Sequence, residues 1–85
     1  MDARKEKNEK AIAKLDDLKR RLFEQKPVYY NDRQYAFNAI RICYSEMYRG
    51  VVYQALLIDK SRPHLNWAMW VPLEAVMTEE EYNNQ

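Results

Sequence analysis

QYAFNAIRICY (Gln34–Tyr44) and VVYQALLID (Val51–Asp59) are the two stretches that decide the fold. Both are rich in β-branched and aromatic residues, which suit a pleated surface, and a turn-forming segment separates them. That segment, Ser45–Gly50, ends in the only glycine of the chain, and Gly50 is expected to take the positive φ of the turn. Pairing Tyr44 with Val51 sets Ile42 against Tyr53, Ile40 against Ala55 and Asn38 against Leu57. That face is almost wholly apolar and is the expected core. The opposite face sets Cys43 against Val52, Arg41 against Gln54, Ala39 against Leu56 and Phe37 against Ile58. It is mixed, and a one-residue slip would exchange the two faces. In either register both sides of the sheet carry apolar residues, and one helix covers one side.

Working outward, Val28–Tyr30 is a short strand joined to the first stretch by Asn31–Asp32–Arg33, a turn-forming cluster. On the other side, Lys60–Leu65 contains Ser61, Pro63 and His64 and reads as a loop. Asn66–Val71 (NWAMWV) is the last strand, and Pro72 ends its hydrogen bonding. Pro72–Met77 has room for one tight helical turn. Thr78 and Glu81 have the capping-box spacing, so residues 78–85 are expected to be a short helix or an acidic tail.

Before Pro27 the period changes. Ala11, Leu15, Leu18 and Leu22 recur at helical spacing, with Ile12 widening the stripe. Glu6/Lys10, Asp16/Arg20 and Asp17/Arg21 place an acid four residues before a base, each pair worth about 0.2–0.5 kcal/mol. Residues 1–26 contain no glycine or proline, and Pro27 disfavours helix at Lys26, so the helix is expected to occupy residues 1–26.

The totals bound the function. An 85-residue chain makes one domain that buries roughly 60–65% of its unfolded surface, so a dimer or complex would help it. The net charge of +1 argues against a general polyanion binder. It conceals an asymmetry: nine Lys/Arg against six Asp/Glu in residues 1–26, five against seven thereafter. One cysteine, Cys43, forms no internal disulfide, and MDARKEKNEK has no apolar signal region. No stretch reaches 18 apolar residues. The expected setting is cytoplasmic, without a membrane span.

Chemistry-bearing residues are sparse. His64, the only histidine, has no nucleophile motif around it and reads as an exposed loop residue. Cys43 lies in an apolar strand and reads as a small buried hydrophobe. Glu79, Glu80 and Glu81 lack the spacing of a metal site and are expected to cap or solubilise the terminus. One glycine excludes a phosphate-cradling loop. No catalytic set, metal or cofactor is expected, and the chain reads as a non-enzyme. Tyr, Trp, Arg and Met, the residue types of binding hot spots, crowd the second half instead. Trp67 and Trp70 have opposite parity, so one is expected inside and the other outside as an anchor. The expected partner-binding residues are Tyr48, Arg49, Arg41, Gln54, Trp67 and Arg62.

The order of a helix, then VYYNDRQYAFNAIRI, VVYQALLID and NWAMWVPLEAV, resembles small accessory proteins of phages and mobile elements. In those, a strand pair and a final strand ending in a Pro-Leu-Glu-like turn form a Src-homology-3-type barrel. The resemblance covers residues 27–77. It implies an accessory protein that binds and alters a host protein or nucleic acid, and it carries no individual residue role. The expected class is α+β: a long N-terminal amphipathic helix on a small antiparallel sheet or Src-homology-3-type barrel of roughly three to five strands. The expected function is a non-enzymatic protein-binding module, a phage-type modulator or inhibitor of a host or defence protein. The alternatives are nucleic-acid binding, through sheet aromatics and helix Lys10, Lys14, Lys19, Arg20 and Arg21, and a homodimer.

Overall fold

In the computed structural model, which describes residues 3–61 and 68–85, helix α1 (Ala3–Phe23) precedes a four-stranded antiparallel sheet. The strands β1 (Val28–Tyr30), β2 (Arg33–Ser45), β3 (Gly50–Ile58) and β4 (Ala68–Pro72) lie side by side in chain order. A 3-10 turn, Leu73–Ala75, and a short helix α2 (Glu79–Asn83) complete the chain. This is the expected α+β class, with a curled half-barrel as its sheet.

Helix α1 stops three residues short of the expected Lys26. Lys26 N–H donates to the Arg21 carbonyl and Gln25 N–H to that of Leu22, with Gln25 at φ 59°. This is a Schellman turn with glutamine where glycine is usual. The stripe that α1 buries is narrower than expected: Ala11 and Leu18 are fully buried, Leu15 and Leu22 half-buried, and Ile12 is 54% exposed. Of the three acid-before-base pairs, Asp17–Arg21 forms, at 3.5 Å.

Asn31 and Asp32, both at positive φ, make a two-residue hairpin turn with Tyr30 opposite Arg33. The turn between β2 and β3 differs from expectation: Arg49 takes the positive φ, at 52°, and Gly50 opens β3. The expected register holds from Ala39–Leu56 to Ser45–Gly50. Beyond Ala39 it shifts, because Asn38 bulges out and Phe37 pairs with Leu57 instead of Ile58. The bulge turns Phe37 to the helix side, where it is 4% exposed. Asn38, expected on the core face, is exposed.

The core lies between the inner sheet face and α1. It comprises Ala11 and Leu18, Val28, Phe37, Ala55, Leu57 and Val71, with Leu73 and Val76 from the segment after β4. That segment folds back across the open side of the half-barrel. Tyr29 and Met77 exchange both backbone hydrogen bonds at 2.8 Å, linking β1 to the chain beyond β4. The expected capping box forms at α2: Thr78 Oγ1 accepts from Glu81 N–H while Glu81 accepts from Thr78 N–H, both at 3.1 Å. Tyr82 then stacks on Tyr29, the rings 4.2 Å apart and 2° from parallel.

Lys14 locks helix to terminus. Its Nζ donates to the Val76 carbonyl at 2.8 Å and meets Glu81 Oε2 at 3.2 Å. Partial burial by itself pushes the Glu81 carboxyl up, but the Thr78 N–H and Lys14 together outweigh it and hold the group below its ordinary value.

Candidate protein-binding face

Side chains alternate along each strand, so the paired positions opposite to the core share the outer face. Three rows cross it. Ala39, Leu56 and Trp70 form one, Arg41, Gln54 and Pro72 the next, and Cys43 with Val52 the third. At their centre Arg41 Nε donates to Gln54 Oε1 at 2.7 Å, and the guanidinium carbon lies 3.9 Å from the centroid of the Trp70 ring. A cation over an indole face at an exposed site contributes about 0.5–1 kcal/mol. Its larger consequence here is order: two partners hold one long side chain in a single pose.

Trp70 is 37% exposed and Arg41 is exposed, while Leu56 and Val52 are half-buried. The core and α1 occupy the other side of these strands, and α2 sits on β1. The result is a largely apolar surface with Arg41 held in it by Gln54 and Trp70. A small cleft of about 200 Å³ adjoins it, lined by Ser45, Tyr48, Val52, Tyr53, Gln54 and Pro72. Tyr48 is 55% exposed, with its N–H 3.4 Å from Ser45 Oγ. Arg49 is exposed in the same turn.

Arg41, Gln54 and Tyr48 are therefore brought to one surface, as paired positions and as linings of one cleft. Trp67 and Arg62, expected to join them, lie outside the described residues, as does His64. Trp70 is the member that sequence reasoning left undecided. Its parity with Leu56 and Ala39 identifies its face once the β3–β4 register is known. Cys43, expected to be buried, is half-buried on the outer face, its Sγ 3.7 Å from Gln54 Oε1. The bulge leaves it there because the shift begins only at Asn38.

A larger open cleft of about 610 Å³ lies elsewhere, between Gln25, Pro27, Arg33–Phe37 and Asp59–Ser61. Among the described residues, no group of three His, Cys, Asp or Glu side chains is placed to hold a metal ion. Among them, too, no helix is long and apolar enough to cross a membrane. No protein-family model, curated protein or solved structure matches this chain.

Proposed function

We propose that this protein is a non-enzymatic binding module that docks another protein on the outer face of its sheet. The observation that carries the reading is the Trp70–Arg41–Gln54 cluster, an aromatic and a cation held in place on an exposed apolar surface. Trp, Tyr and Arg dominate binding hot spots, and side chains ordered before contact lose less entropy on association. Tyr48 extends the surface at one end. The resemblance to phage accessory proteins makes a host or defence protein the class of partner to seek, and modulation the class of effect.

Nucleic-acid binding has weaker support. Of the helix cations offered for phosphate contact, Lys14 is engaged by Glu81 and the Val76 carbonyl, and Arg21 lies beside Asp17 and Glu80. The net charge of +1 points the same way.

The test is affinity capture from lysate of the native host with wild-type, Trp70→Ala and Arg41→Ala baits, read by mass spectrometry. A protein retained by wild type should fall at least tenfold with Trp70→Ala, since a hot-spot truncation costs about 2 kcal/mol or more. Arg41→Ala should weaken the same species. Equal retention on all three baits would remove this face from consideration.

A further inference from the structure

A second surface, distinct from the outer face, follows from how β2 is shared. Strand β2 has 13 residues, but β1 pairs only with Arg33–Tyr35, whereas β3 pairs along Ala36–Ser45. On the side away from β3, the edge from Ala39 to Ser45 therefore has no strand partner among the described residues. Backbone groups alternate in direction along an antiparallel strand, so every second N–H and C=O on this edge points outward. Ser61 and Ala68, which flank residues 62–67, both lie at the Ala36 end of the sheet, away from this stretch.

Proteins usually blunt such an edge with an inward-pointing charge, a proline or a bulge. Beyond the bulge at Asn38, this one has none of the three on its helix-side face. Ile40, Ile42 and Tyr44 occupy that face, and Ile42 and Tyr44 are 56% and 65% exposed. They were expected to be core. The cover that α1 gives the inner face leaves both side chains more than half exposed, although Asn8 Nδ2 reaches the Val51 carbonyl on the neighbouring strand.

We infer that this edge pairs with the same edge of a second copy, antiparallel about a two-fold axis at Ile42, to make one sheet continuous across a homodimer. The self-complementarity of the strand singles out this occupant. A two-fold at Ile42 sets Ile42 against Ile42, and Ile40 against Tyr44 twice, so every pair on the inner face is apolar. On the outer face, it sets Arg41 against Cys43 and Ala39 against Ser45, and no like charges meet directly. Moving the axis one residue to Cys43 would put Ile40 opposite Glu46. The closed symmetric pair also removes the edge as a template for further addition. The exposed Ile42 and Tyr44 supply its apolar cover, while Trp70 and Arg41 remain on the outer face.

Sedimentation velocity of the full chain, from micromolar to about 1 mM, tests the inference directly. The wild type should sediment as a concentration-dependent monomer–dimer system. Ile42→Lys places like charges opposite each other at the axis and should raise the dimer dissociation constant at least tenfold. Since Ile42 is more than half exposed, the variant should keep the wild-type circular dichroism spectrum and Tm. In a Cys43→Ser background, Ile42→Cys should cross-link to a dimer under mild oxidation, because paired residues bring their Cα atoms within disulfide reach. Met47→Cys, 84% exposed in the turn, should not. A wild type that stays monomeric throughout, or a dimer that Ile42→Lys leaves intact, overturns the inference. Neither result bears on capture through Trp70.

Discussion

Lys14→Met separates two contributions that the structure assigns to one ammonium group. The methionine keeps most of the packing of the stem and removes the charge and its donors. One lost contact is the 2.8 Å hydrogen bond to the carbonyl of Val76, a fully buried residue. A hydrogen bond from a charged donor contributes about 1.5–3 kcal/mol, and partial exposure of the Lys14 side chain places this one toward the lower end. The other is the 3.2 Å ion pair with Glu81, whose side chain is 43% exposed. Solvent screening limits such a pair to about 0.5–1 kcal/mol. The sum is about 2–3 kcal/mol, or roughly 8–24 °C in Tm for a domain of this size. Urea denaturation of wild type, Lys14→Met, Glu81→Gln and the double variant forms a cycle that isolates the pair.

The pH dependence of that cycle has a definite sign. Glu81 has a folded-state pKa below its ordinary value of 4.5, so it binds protons more weakly folded than unfolded. Its contribution is therefore fully present above about pH 4.5–5 and is lost as the pH falls through the lowered folded value. The coupling energy should be about 0.5–1 kcal/mol at pH 7 and smaller at about pH 3, below the ordinary carboxyl value, while the Val76 share of the Lys14→Met cost persists. A Lys14→Met variant as stable as wild type, or a coupling energy unchanged between the two pH values, would refute this account of the latch.

Four further expectations concern the backbone, the bulge and an exposed side chain. Gln25→Gly at the left-handed end of α1 should raise stability by about 0.5 kcal/mol, the relief of the side-chain penalty exceeding loss of its 3.0 Å bond to the Leu22 carbonyl. Gly50→Ala should be neutral or slightly stabilising by thermal melt, since Gly50 has ordinary φ and the nearest atom to an added Cβ is 3.9 Å away. Phe37→Ala should cost about 3–5 kcal/mol in urea denaturation because the bulge puts the ring in the core. Phe23→Ser, at a side chain 90% exposed, should stay within about 0.5 kcal/mol of wild type.

Local rules made several elements legible from residues alone. The 3–4 spacing of Ala11, Leu15, Leu18 and Leu22 marks the buried side of α1, and Thr78 with Glu81 marks the α2 cap, because both depend on neighbours within one turn. The pairing of Tyr44 with Val51 is likewise carried by matched alternation about a short turn. That much placed Arg41 beside Gln54 and both on a mixed face.

Tertiary contacts decided the rest. The bulge at Asn38 exists because burying Phe37 between α1 and the sheet is worth more than one unbroken pair, a comparison no window of sequence contains. Trp70 joins Arg41 only through the β3–β4 register, set across a connection of nine residues. The Lys14 contact with Val76 spans 62 positions, and nothing nearby in the chain announces it. Ile42 and Tyr44 follow the same apolar alternation as Ile40, yet lie in the open because one helix is too narrow to roof the whole inner face. Alternation says which side chains share a face, and only the packing of distant segments says which part of that face is covered.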